Sequence, residues 1–362
     1  PVWMVALLVP VRESGSMLPQ AALAPRVRRL PVRKWVWVVG AAGQAVATAG
    51  MALAAATLDG AAAGGTVLVA LAVFSLARAL SSIAAKDVLG RTIPAGSRGA
   101  VNGLATTLSG GVAITVGLAI HALGGQDVAT GPLAALLAAA AVAWVAAGAV
   151  YATVTEPAGE RATAAAGPWW SRSWGLLRDD APFRTFVAVR ALLLVSALSP
   201  PFIVSLAARE GGVGLGALGP FLIASGLAAL LGGRLFGSLA DRSSRRLMGW
   251  GAAASSAVLL GLLLLMPLPG AGSWLYPLAY LLLAFLHVGV RVARKTYVVD
   301  MASGDRRTEY VAVSNTAIGV LLLVTGAVSG ALGQLATELA LAFLAALGLV
   351  GAVLSRRLPE AE

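Results

Sequence analysis

The chain has 362 residues, of which 58% are hydrophobic and only 12% charged, against roughly 25% charged in an ordinary soluble domain. One water-soluble core cannot hide that much apolar surface, and the absence of cysteine excludes disulfides and thiolate metal sites. The net charge of +11 would suggest nucleic acid in a soluble protein, but its placement along the chain excludes that partner.

Eleven apolar runs, each long enough to cross a ~30 Å hydrocarbon core as a helix, are read in chain order at 3–26, 33–56, 65–88, 99–123, 132–154, 183–207, 217–239, 247–267, 275–299, 311–332 and 335–355. Cations gather in alternate connections: Arg26, Arg28, Arg29, Arg33 and Lys34; Lys86, Arg91 and Arg98; Arg161, Arg172, Arg178 and Arg184; Arg242, Arg245 and Arg246; Arg294, Lys295, Arg306 and Arg307; Arg356 and Arg357. The other connections hold one cation, Arg209. This alternation marks the cation-bearing connections as cytoplasmic, in a cytoplasmic (inner) membrane, with the C-terminus inside. The remaining loops are short and Gly-rich: Leu58 to Gly65, Gly124 to Thr130, Glu210 to Gly216 and Pro267 to Gly272. The longest and most polar connection, 155–182, contains Trp169, Trp170 and Trp174. An interfacial helix or a flexible linker would suit it.

Polar residues repeat at one offset. Arg78, Asp87 and Asn102 recur 213 residues later as Arg291, Asp300 and Asn315, and Arg29, Arg33, Trp37 and Gly117 pair with Arg242, Arg246, Trp250 and Gly330. Such matches point to a duplicated unit. The counterpart of 183–207 would precede Pro1, so a first helix is expected to be missing from the front. The expected fold is an all-α integral membrane protein of two pseudo-symmetric six-helix bundles with 11 of 12 transmembrane helices present. Residues 1–154 would form the first bundle, 155–182 a cytoplasmic linker and 183–357 the second bundle.

The segment Gly237-Ser-Leu-Ala-Asp241-Arg242-Ser-Ser-Arg245-Arg246 resembles the cytoplasmic loop motif of the major facilitator superfamily, G-x-x-x-D-R-x-G-R-R, with Ser244 in place of the second glycine. The first-half equivalent is decayed, with Arg28 at the aspartate position. Arg78 sits where the family has an arginine in its fourth helix, and Pro94, Arg98 and Gly99 resemble the lead into its fifth. The resemblance covers the whole chain and implies a solute site between two rocking bundles. It also implies a gating network of Gly237, Asp241, Arg242, Arg245 and Arg246, with Asp87 and Asp300 as its acidic partners at the helix ends. Asp300 is then the expected partner of the loop arginines. With Arg28 replacing an acid, the first-half lock is weaker or differently built. The alternative is that these arginines only orient the chain by charge. The proline of the family's drug–proton antiporter signature is absent from 103–117.

Charges within spans are costly, about 2.5–3.5 kcal/mol each on insertion scales. Glu13 stands mid-span beside Arg12, with Gln20 on the same face and Ser16 near it, and is a candidate for proton coupling or for binding a cationic solute; alternatively Arg12 and Glu13 neutralise each other. Arg78 and Asp87 lie about 900° of helical rotation apart, so Arg78 needs another acceptor, Glu13 or a bound anion. His287, Arg291, Arg294 and Lys295 form one cationic face, although Arg294 and Lys295 also suit snorkelling. His287 reads as a proton relay or an interhelical hydrogen bond, and Arg190 as a cavity residue. Gly233-x-x-x-Gly237 and Gly326-x-x-x-Gly330 allow close helix approach.

No nucleophile–base pair, Walker loop or metal cluster is visible, so neither enzyme activity nor a cofactor is expected. The favoured function is a monomeric secondary transporter moving a small anionic or zwitterionic solute by alternating access, with proton-coupled efflux as one mode. A non-transporting sensor or assembly protein on the same fold is the alternative.

Overall fold

The computed structural model describes residues 2–122, 130–159, 168–209, 218–268, 272–302 and 306–360. The Gly-rich loops expected at 124–130 and 210–216, the central residues of the loop 267–272, and Arg161 lie outside the described residues. Every regular element among the described residues is helical: α1 (Val2–Met17), α2 (Gln20–Arg28), α3 (Lys34–Thr57), α4 (Gly60–Thr92), α5 (Arg98–Ala122), α6 (Thr130–Ala152), α7 (Trp169–Asp179), α8 (Ala181–Leu192), α9 (Val195–Leu198), α10 (Pro200–Arg209), α11 (Leu218–Leu265), α12 (Gly272–Asp300), α13 (Arg306–Leu335) and α14 (Thr337–Ser355).

Nine helical stretches among the described residues are long and apolar enough to cross a membrane, against eleven expected, and two local features explain the difference. The spans at 217–239 and 247–267 are continuous as α11, bent at Ser243, whose backbone is extended (φ −166°, ψ 98°). The first span is divided between α1 and α2. Pro19 lacks the N–H that would continue the α-helical ladder. The neighbouring carbonyls are taken by side chains: the Gln20 amide donates to Ser16 (2.7 Å), and the Thr316 hydroxyl donates to Leu18 (3.0 Å) and Met17 (3.2 Å). Thr316 also accepts from the Ala21 N–H at 3.0 Å. In a medium without water, irregular backbone survives only where the protein itself completes its hydrogen bonds. The span at 183–207 is divided too, into α8, α9 and α10. The connection 155–182 contains the helix α7, with Trp170 and Trp174 exposed.

Two compact units are present. Unit 1 comprises residues 1–93, 128–179 and 302–320; unit 2 comprises 94–127, 180–301 and 321–362. Each therefore draws on both sides of the central connection. Unit 1 is cored by small and medium side chains, Ala24, Val27, Val36, Ile83, Ala84 and Ala312. In unit 2, Val195, Ile203, Leu259, Leu262, Tyr276, Leu283, Leu341 and Leu344 form a larger cluster. Outward-facing apolar residues such as Leu264, Leu335, Trp250 and Val46 are more than two-thirds exposed, as expected where lipid rather than water is the surrounding medium.

Within unit 2, α5 and α11 pack antiparallel along glycines. A Cβ at Gly99 would lie 2.5 Å from the Gly237 carbonyl oxygen, and one at Gly110 would lie 2.6 Å from that of Gly226. Between them Gly103 and Gly233 are in direct backbone contact, leaving no space for a side chain. Gly233 and Gly237 thus realise the close approach that their spacing allows. Gly326 and Gly330 do not: a Cβ at either meets nothing within 4 Å. Gly103→Val should therefore overpack the seam and cost about 1–3 kcal/mol, read as a lower thermal unfolding midpoint in detergent. Gly326→Val should leave that midpoint nearly unchanged.

Candidate functional site

In unit 1 the end of α4 carries an ion cluster built on a fully buried pair. The carboxylate of Asp87 receives Nη1 of Arg33 at 2.8 Å, with both side chains at zero exposure, and Nε of Arg91 at 2.6 Å. The Thr308 hydroxyl, on α13, donates to the other Asp87 oxygen (3.1 Å) and accepts from Arg33 (2.9 Å). Glu156 caps the chain beside this cluster, accepting from the backbone N–H groups of Arg33 (2.8 Å) and Lys34 (2.6 Å). The cluster ties α4 to the α2–α3 connection and to the start of α13.

In unit 2 the corresponding helix ends are held differently. Asp241, on α11, accepts from the N–H groups of Gly99 (2.5 Å) and Ala100 (2.7 Å), the first residues of α5. Helix N-termini expose N–H groups and a partial positive charge. α5 has no acidic residue in its first turn, so Asp241 supplies that charge from another helix. Beside it, Arg98 pairs with Asp300 at 2.6 Å, and Asn102 donates to Thr296 at 3.3 Å. The resemblance implied the loop arginines as partners of Asp300. The structure gives that carboxylate Arg98, while Arg245 pairs with Glu360 (2.5 Å) and Arg246 lies 3.8 Å from the same carboxylate. Arg242 is exposed.

The decayed first-half motif now has a physical reading. α13 does carry an acid in its first turn, Glu309. Arg28, at the position equivalent to Asp241, donates to Glu309 at 2.7 Å, and Arg172 of α7 takes the other oxygen at 2.6 Å. The sign of the charge at this helix start is reversed relative to that of Asp241 at the start of α5. Sequence reasoning singled out Asp87, Asp241 and Asp300, and noted Arg28, Arg33 and Arg98 without giving them these partners; it missed Glu156, Thr308 and Glu309. Glu309 in the first turn of a helix, facing a cation at the motif's acidic position, was the available signal.

Among the polar residues within spans, Glu13 lies 3.7 Å from Arg12, both partly exposed, a geometry that contributes little to stability. Arg78 is exposed on α4 and lies within the electrostatic reach of both Arg12 and Glu13. α1 and α4 touch closely there, since a Cβ at Gly15 would lie 2.8 Å from that of Ser75. Below this group, Gln20 at the α1–α2 break accepts from the Asn315 amide at 2.7 Å.

Unit 2 holds the second group. The Ser196 hydroxyl on α9 meets Nδ1 of His287 on α12 at 3.1 Å, an interhelical hydrogen bond at the interrupted span. Arg291, Arg294 and Lys295 all act electrostatically on His287, and Arg294 on the buried Arg190. Arg294 thus lies within reach of both His287 and Arg190 in unit 2, and Arg12 and Glu13 within reach of Arg78 in unit 1.

The two kinds of lock differ in cost. Arg33→Gln removes the fully buried one of the two cations that neutralise Asp87 and should destabilise by about 3–5 kcal/mol. Arg28→Gln leaves Glu309 with Arg172 at a partly exposed site and should cost about 1 kcal/mol or less. Denaturant unfolding of the detergent-solubilised protein measures both.

No protein-family model and no curated protein matches the sequence. Solved structures do match across its length. A crystal structure of the E. coli fucose:proton symporter aligns with TM-score 0.75 at 17% identity, covering 99% of this chain and 91% of that one. A proton:xylose symporter bound to 6-bromo-6-deoxy-D-glucose gives 0.74 at 13% identity, with 99% and 87% coverage. A bacterial homologue of the iron transporter ferroportin, in its outward-facing state, gives 0.71 at 16% identity, with 99% and 91% coverage. With its apolar helices, the chain is a multi-pass membrane protein that has the fold of major facilitator superfamily transporters.

Proposed function

We propose that the protein is a secondary transporter that moves a small anionic or zwitterionic solute by alternating access. The two moving bodies would be the sequence halves 1–154 and 183–357, joined through 155–182. The observation that carries this reading is the pair of interrupted spans, α1–α2 and α8–α9–α10, each with polar side chains at its break. Discontinuous membrane helices are where transporters of this kind place solute and coupling-ion sites. The cations Arg190, Arg291, Arg294 and Lys295 around His287 supply attraction for an anion, and Glu13 beside Arg78 is the proposed proton carrier. The helix-end locks at Asp87, Asp241 and Asp300 join residues from the two sequence halves, so they would break each time the cation-bearing end opens. That end would face the cytoplasm across the inner membrane, together with the C-terminus, as the alternation of cations along the chain suggests.

Proteoliposomes loaded with a pH dye and exposed to gradients of small carboxylates, phosphate esters and neutral sugars test the reading. Anionic solutes should change lumenal pH, and Arg291→Gln should lower their transport at least ten-fold relative to any neutral solute. Glu13→Gln should abolish the pH change while preserving solute counterflow. Solute binding without flux for any compound would instead identify a sensor, and unchanged concentrative transport by Glu13→Gln would remove Glu13 from the mechanism.

The locks are testable separately, because the chain has no native cysteine. A charge-assisted hydrogen bond contributes about 1.5–3 kcal/mol. Asp241→Asn should therefore shift the equilibrium towards the cytoplasm-open form by roughly ten-fold or more. Thiol labelling at Thr106→Cys, a buried position on α5, should accelerate accordingly.

A further inference from the structure

Beside the bend of α11, two grooves in unit 2 run along either side of one indole. The first, about 460 Å³, is lined by Arg245, Arg246, Trp250, Ala253, Val353 and Arg356 among others. The second, about 470 Å³, includes Arg242, Arg246, Trp250, Gly251, Ala254 and Gly289. Arg246 and Trp250 line both. They stand four residues apart, one helical turn, so both side chains lie on one face of α11. Trp250 is 75% exposed and the Arg246 side chain 74%. Small residues contribute to both linings, Gly249, Ala253 and Ala352 to the first and Gly251, Ala254 and Gly289 to the second.

We propose that this is a binding site for one anionic glycerophospholipid, its phosphate held by Arg246 with Arg242 and Arg356, and its two acyl chains seated on opposite sides of Trp250. The shape and charge match that molecule in three respects. Two apolar grooves meet at one cationic point, as two chains meet at one headgroup. An exposed indole one turn from arginines suits the boundary between acyl chains and headgroups. The local charge is positive, because Glu360 engages Arg245 closely but Arg246 at only 3.8 Å, and Arg242 and Arg356 are exposed. A soluble phosphate would use the arginines alone and leave both apolar grooves without an occupant. The site does not depend on the transport reading.

Native mass spectrometry of the purified full chain, titrated with dioleoyl phosphatidylglycerol or dioleoyl phosphatidylcholine, tests this assignment. One phosphatidylglycerol should be retained in preference to phosphatidylcholine. Arg246→Gln should weaken phosphatidylglycerol binding roughly five-fold, the effect of one arginine near an anionic headgroup, and leave phosphatidylcholine unaffected. Trp250→Ala should weaken both lipids, because it removes the wall between the chains. Trp274→Ala, at another exposed indole, should change neither. Should Trp250→Ala fail to fold, Arg356→Gln at the exposed rim should reproduce the charge-selective loss. Equal retention of both lipids would mean ordinary annular lipid and overturn the proposal. So would displacement by glycerol phosphate, which would identify a free-phosphate site, or phosphatidylglycerol binding unchanged in Arg246→Gln.

Discussion

The buried pair of Arg33 and Asp87 is the interaction around which unit 1 is arranged. A carboxylate at zero exposure is tolerable only if opposite charge and hydrogen bonds replace its lost hydration. Here that replacement comes from three directions: Arg33 in the α2–α3 connection, Arg91 on α4 itself and Thr308 at the start of α13. Four helices are therefore positioned by one acid. The requirement extends outward, since Glu156 must hold the backbone of Arg33 and Lys34 in place for the guanidinium to reach.

The 213-residue offset puts acids and arginines at equivalent positions, but helix packing does not give them equivalent partners. Asp300 is met by Arg98 rather than by Arg246, the equivalent of Arg33. The helix starts show the same freedom. α5 lacks an acid and receives Asp241 from α11, whereas α13 has Glu309 and receives Arg28. Electrostatic complementarity constrains the sum of charges at each contact and not which side bears which sign. A motif position can reverse polarity if its partner does so too.

Much of the architecture was legible in the sequence because hydropathy and charge are properties of single segments. The apolar runs correspond to helices, whole, divided or joined; the polar offset led directly to Asp87 and Asp300, and the loop-motif resemblance to Asp241. The breaks were less legible. The run 3–26 reads as one span although it contains Pro19, and the break there is sustained by Thr316 and Asn315, nearly three hundred residues away. Partner identities such as Arg98 with Asp300 or Arg28 with Glu309 are set by how α5 and α13 pack, and one-dimensional spacing carries no such information. The joined pair of spans in α11 escaped notice because a basic, polar connection resembles a loop even when its backbone stays largely helical through a bend.

The α5–α11 contact has a mechanical consequence. Most helix pairs interlock through side chains, and any relative motion then requires rotamers to be exchanged in concert. Where Gly103 meets Gly233, backbone rests on backbone, and the side chains that reach across, Thr107 onto Gly233 and Ile114 onto Gly226, are few. Such a seam would keep two helices at a fixed spacing with little side-chain rearrangement if they rolled or slid. The fastening is then concentrated at one end, the start of α5, where Asp241 and Asp300 sit.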